Sequence, residues 1–170
     1  MRYFVTAIII VLNFLIQSTF LHSIEIIGII PNTAIIIIVS FAFMRGEYEG
    51  AAIGFIIGLL QDIFFGQFIG MNALLGMLTG FFCGKFYVDF FTENFLVPLI
   101  MTTVSTIVYE LAFYVLNILI FGYTNLFYFV KNIVLPEAAY TALFSVFLYK
   151  LFYIINERLE DREVIKRNLF

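Results

Sequence analysis

Few side chains in this sequence could do chemistry. Asp62 follows Gln61 near the end of one apolar run, Glu110 sits in the middle of another, and Glu137 follows Pro136 at the start of a third. A carboxyl dyad needs two aspartates at the same depth on neighbouring elements, and only Asp62 is so placed. His22 is the single histidine and stands at the edge of the first apolar run, where an interface anchor is the simpler reading. No H-E-x-x-H metal motif and no G-x-S-x-G elbow is present. Cys83 is alone, so neither a disulfide framework nor a cysteine-ligated metal cluster can form within the chain. No catalytic, cofactor-binding or metal-ligating set is assigned.

The elements that carry these residues are set by composition. The chain is 63% hydrophobic and only 12% charged, with 23 phenylalanines and no tryptophan, and its mean hydropathy is +1.05. A soluble domain carries roughly a quarter charged residues, and no 170-residue globule could hide this much apolar surface. The lipid bilayer is the solvent that fits. A membrane helix needs about 20 mostly apolar residues. Segments 3–21, 26–43, 50–65, 69–86, 96–121 and 135–155 meet or approach that length, with short connections. The expectation is an all-α integral membrane protein, one domain over residues 1–170, built as a compact bundle of about six transmembrane helices. The run at the N-terminus is too long for a signal h-region and offers no small-x-small site, so it reads as a retained first span. Residues 122–134 mix Tyr, Phe and Asn without clear periodicity and fit an interfacial segment.

Orientation follows from the basic residues. With the N-terminus in the cytoplasm, Arg2, Arg45, Lys85, Lys150, Arg158, Arg162, Lys166 and Arg167 lie inside and only Lys131 lies outside. That asymmetry places both termini in the cytoplasm. No basic patch of nucleic-acid-binding size exists outside the short tail. The tail after Asn156 reads as a helix extension with a Glu163–Arg167 pair in the favourable order. Arg162 and Lys166 interrupt its heptad stripe, so a coiled coil is unsupported. A solvated stop signal is the plainer role and a cytoplasmic docking arm the sharper one.

At bilayer depth each ionisable group is a functional hypothesis. Glu110 must find a donor, although its span still inserts on the strength of its aliphatic residues. Asn13, Gln17, Asn32, Asn72 and Asn117 add side chains suited to interhelical hydrogen bonds, each worth about 0.6 kcal/mol. For Asp62 and Glu137, a partner-facing contact and a purely structural role are both open. The glycines are more regular. Gly50, Gly54 and Gly58 recur every four residues, as do Gly76, Gly80 and Gly84. Such spacing keeps small residues near one helix face and lets backbones approach closely. Packing of the third span on the fourth is favoured over a contact with a partner's helix.

The central stretch Gly50-Ala-Ala-Ile-Gly54-Phe55-Ile-Ile-Gly58-Leu59-Leu60-Gln61-Asp62 is followed by Gly70-Met-Asn72-Ala73-Leu74. Upstream stand Leu15-Ile-Gln17-Ser18 and Pro31-Asn32. This ordering resembles the MreD family of bacterial rod shape-determining proteins over most of the chain. The resemblance implies a non-enzymatic, multi-pass scaffold of the cell-elongation (rod-shape) machinery in the cytoplasmic (inner) membrane. Its implied partners are a single-span MreC-like protein, the cytoskeletal MreB, and the glycan polymerase RodA with its penicillin-binding transpeptidase. It also implies that Asp62 and the Gly54/Gly58 face are where partner contact is first sought. The family is distantly similar to substrate-binding subunits of energy-coupling-factor transporters, which gives the second reading. That reading expects an outward polar cavity lined by Asn32, Asn72, Asp62 and Glu137. Ala7-Ile-Ile-Ile-Val11 departs from the small-residue pattern of those subunits' first span, and shared fold would not make this a transporter. An intramembrane enzyme using Asp62 or Glu110 is third.

Overall fold

Nearly every long apolar run folds into helix, because a chain in lipid must satisfy its backbone within each segment. The computed structural model describes residues 2–19, 29–66, 68–86, 96–121 and 126–168. Helix α1 is Arg2–Thr19, α2 Thr33–Arg45, α3 Glu47–Phe65, α4 Met71–Gly84 and α5 Leu96–Phe121. Helix α6 runs from Leu126–Phe129 through a π-helical turn, Val130–Val134, into Leu135–Asn168. His22, Glu25, the connection at 87–95 and residues 122–125 lie outside the described residues, as do the tail side chains from 160 onward.

Helix α2 is the centre of the bundle. Ala34 to Met44 are all buried, and α2 packs on α3, α4, α5 and α6. A helix apolar on every side has no polar face to show and goes inside. One side of it, Ile36, Ile37 and Phe41, meets Ile53 and Ile57 of α3 and Phe152 of α6. The other side, Ile35, Val39 and Phe43, meets Leu75 and Cys83 of α4 and Tyr109 of α5. Helix α1 is peripheral. Thr6 and Ile10 face inward, whereas Phe4, Val11, Leu12 and Leu15 are exposed.

Local chemistry fixes the ends. Pro31 cannot donate a backbone hydrogen bond. Asn32 then caps α2, its Oδ1 accepting from the Ile35 amide at 3.2 Å. The helix thus begins at Thr33, later than the apolar run suggests. Gly46, at φ 89°, closes α2 and lets α3 start at once. Glu47 and Glu49 lie in the first turn of α3, where the helix dipole favours acidic groups. The π turn in α6 stands immediately before Pro136, and the Leu135 amide donates to the Val130 carbonyl. Widening by one residue accommodates a proline that would otherwise clash with the preceding turn. Residues 126–134 therefore join the last helix.

Much of the outer surface is apolar. Phe55, Ile56, Ile63, Val104, Val108, Leu143 and Phe147 are all exposed. Glu47–Phe65, Leu96–Ile118 and Leu126–Leu159 are long and apolar enough to cross a membrane, and about a third of each or less is buried. Tyr3–Thr19, Thr33–Arg45 and Met71–Gly84 are apolar but shorter. At about 1.5 Å per residue, α2 spans about 20 Å, less than the roughly 30 Å hydrocarbon core.

Candidate functional site

The α3–α4 hairpin brings the two glycine series face to face. A Cβ on Gly54 would fall on the carbonyl of Gly76, and one on Gly80 would fall on the carbonyl of Gly50. At Gly58 the obstacle is the Asn72 carbonyl, and at Gly84 the Glu47 backbone. The backbones touch, so only hydrogen fits between them. Such proximity maximises dispersion and permits Cα–H···O contacts, which replace the hydrophobic drive that lipid does not supply.

Asp62 closes the same hairpin at its turn. It lies in the last turn of α3 and is 1% exposed. Its Oδ2 accepts from the amides of Gly70 (2.9 Å) and Ala73 (2.9 Å), and its Oδ1 from that of Asn72 (3.0 Å). A carboxylate at a helix N-terminus satisfies amides that have no intrahelical acceptor and lies in the favourable end of the dipole. Gly70, with φ 108°, makes the turn that aims these amides back at α3. Gln61 is half-buried beside it, and its carbonyl accepts from the Gly66 amide at 3.0 Å.

The remaining polar groups of the bundle join α2, α5 and α6. The Tyr109 hydroxyl donates to Asn72 Oδ1 at 2.8 Å, linking α5 to the Asp62 turn. The Asn32 amide donates to Thr141 Oγ1 at 2.9 Å, linking α2 to α6. Glu110 of α5 and Glu137 of α6 lie near each other and near the Asn32 side chain, close enough to interact electrostatically. The residues expected to line an outward cavity are thus gathered at one end of the bundle. Asp62 and Asn72 are engaged with backbone and Tyr109, while Asn32 and Glu137 meet at Glu110.

A double-mutant cycle measures the carboxyl pair. Glu110→Leu and Glu137→Leu each leave one partly buried carboxyl without its neighbour, whereas the double variant leaves none. The expected coupling is about 1 kcal/mol, within the range found for interhelical hydrogen bonds in membranes. Glu110→Gln keeps the size and polarity of the side chain and is expected to unfold in detergent close to wild type.

At the opposite end of α2, Arg45 holds four helices, a role beyond that of the topogenic charge its position in the sequence suggests. Its side chain is 1% exposed. Nε donates to Asn156 Oδ1 of α6 at 2.8 Å and Nη1 to Thr6 Oγ1 of α1 at 2.7 Å. Nη1 lies 3.7 Å from Glu49 Oε2 of α3, and the guanidinium stacks 4.5 Å from the Phe41 ring centroid. The i,i+4 relation to Glu49 was the one signal available in the sequence; Thr6 and Asn156 are too distant to be paired by spacing. Arg45→Ala is expected to destabilise by about 3 kcal/mol, since bonds to a charged group are each worth roughly 1.5–3 kcal/mol. Arg45→Lys should recover little, because one ammonium cannot reproduce the planar fork. Thermal unfolding in detergent checks both variants.

Among the described residues no cluster of metal-ligating side chains is found. No curated protein and no solved structure matches this chain significantly. The sequence profile described as rod shape-determining protein MreD matches residues 1–158. With nearly the whole chain inside that match, and with a helical bundle whose glycine hairpin and Asp62 turn are built from the stretch that carries the likeness, the protein belongs to the MreD family.

Proposed function

We propose that the chain is a non-enzymatic scaffold of the rod-shape complex, linking the MreB cytoskeleton and MreC to peptidoglycan synthesis by RodA and its penicillin-binding transpeptidase. Membership of the family, whose proteins determine rod shape, is the observation that carries this reading. The chemistry of the bundle is consistent with it. Asp62 is bonded to three backbone amides, and Arg45 to side chains on neighbouring helices. These groups hold helices together and leave a rigid body with an apolar exterior suited to helix contacts. In this reading the chain crosses the cytoplasmic membrane six times as one domain, with both termini inside and the Asp62 turn outside.

Co-purification in mild detergent tests the proposal. An MreC-like single-span protein together with a cell-wall synthase is the expected yield. An ATPase module with a tightly retained small molecule would overturn the scaffold and favour a transporter subunit.

A further inference from the structure

The turn that joins α3 to α4 carries the wrong side chains for an aqueous loop. Phe64, Phe65, Phe68 and Ile69 are all exposed, Ile69 at 78%; Gln67, among them, lies outside the described residues. Loops that face water are ordinarily polar, and a soluble surface rarely gathers large apolar side chains in one patch. Tyr and Trp, which have a polar tip, are favoured at the headgroup level, whereas Phe and Ile have nothing to offer water. Phe14 of α1 extends the patch, its ring centroid 4.8 Å from that of Phe64 and 5.6 Å from that of Phe65. The backbone is equally suited to lipid. The amides of Gly70, Asn72 and Ala73 donate to the Asp62 carboxylate, that of Gly66 to the Gln61 and Asp62 carbonyls, and that of Leu74 to the Gly70 carbonyl. Non-helical backbone is kept out of lipid because its polar groups go unpaired there, and at these amides that cost is already removed.

Depth follows from the Arg45 clamp, which holds Glu49 of α3 and Asn156 of α6 at one level of the bundle. Counting outward from that level at about 1.5 Å per residue, α3 reaches Phe65 after about 24 Å. In the same direction α6 climbs about 37 Å to Lys131, the basic residue of its π-helical turn. A tilt of about 20°, usual for membrane helices, shortens that climb by only about 2 Å. The α3–α4 turn therefore stops well short of the level of Lys131. The hydrocarbon core is roughly 30 Å thick. With the charges of Glu47 and Glu49 at its inner edge, Phe64 and Phe65 still lie inside it, and the turn stays beneath the headgroups.

We propose that the α3–α4 turn is seated in the acyl chains of the outer leaflet, so that Phe64, Phe65, Phe68 and Ile69 form a lipid-facing surface closed to water-soluble partners. The inference rests on the membrane-spanning reading above, and puts the turn on the outer side but beneath the surface. The chain has no tryptophan, so a single introduced one reports its own surroundings. Ile69→Trp and Phe68→Trp, in the full chain reconstituted into phosphatidylcholine bilayers, are the turn probes. Val104→Trp, exposed on α5, marks the hydrocarbon, and Phe127→Trp, exposed at the start of α6, marks the outer surface. Lipids brominated in the middle of their acyl chains are expected to remove most of the emission of both turn probes and of Val104→Trp. Aqueous iodide is expected to quench Phe127→Trp several-fold more than either turn probe. A turn variant that misfolds is recognised by its lowered unfolding midpoint, and the other then carries the reading. Turn probes that keep their emission in brominated lipid and are quenched by iodide as strongly as Phe127→Trp would overturn the proposal, with Val104→Trp still quenched by lipid. If Val104→Trp also escapes the brominated lipid, the membrane-spanning reading fails and the proposal falls with it.

Discussion

Gly54→Leu is expected to abolish the α3–α4 hairpin, the largest single effect available in this molecule. The Gly76 carbonyl occupies the position that a Cβ at residue 54 would take. Backbone cannot step aside as a flexible side chain can, so even Gly54→Ala forces the helices apart. Overpacking by a methyl group costs roughly 1–3 kcal/mol; a leucine would exceed about 5 kcal/mol by separating the helices along their whole contact. The loss spreads, because α2 is packed against both helices. Ala52→Leu is the control, since Ala52 lies exposed on the same helix and a larger apolar side chain there meets lipid. Unfolding midpoints in detergent and accumulation in the membrane should fall for the Gly54 variants and stay unchanged for the control.

The second large effect is at Asp62. Asp62→Ala removes the acceptor of three amides at once, in a place buried from solvent. Each stranded buried donor costs about 1–3 kcal/mol, so a destabilisation of about 4–6 kcal/mol is expected. Asp62→Asn keeps one acceptor oxygen and should fall between. Asp62→Glu should not restore stability, because the longer side chain pushes its oxygens past amides already at 2.9 to 3.0 Å. The same series separates two roles. Wild-type stability in Asp62→Ala, with loss of function, would assign the carboxylate to a partner contact rather than to the turn.

These sites differ in how visible they were from sequence. Hydropathy alone announces that long apolar helices exist, since no soluble fold accommodates such composition. It does not locate their ends: the isoleucines before Pro31 are as apolar as those after it, and the break comes from a missing amide and the Asn32 cap. Nor does it show that α2 is central. The run Ile35 to Ile38 is compatible with any buried or lipid-facing helix, and only tertiary packing separates the two. A period of four in the glycines states that a face is smooth without naming what lies on it. Asp62 and the amides it binds are only 8 to 11 residues apart, close enough for a turn motif to be suspected. Glu110 needed a partner that the sequence could not identify, because Glu137 and Asn32 approach it from positions remote along the chain. Arg45 was the hardest. A basic residue at a helix end is topogenic by rule, and nothing local tells a buried clamp from a solvated charge. The π turn was hidden for a similar reason, since 122–134 lacks periodicity, yet Pro136 just beyond it was the available cue.

Cell width on depletion is the most direct measurement. Removing the protein from a rod-shaped host that encodes it, and restoring either wild type or Gly54→Leu, tests whether the intact bundle maintains shape. A scaffold required for rod-shape determination predicts rounding and widening on depletion. Wild type and Ala52→Leu should reverse this, and Gly54→Leu should not. Cells that keep their normal width throughout depletion would contradict it.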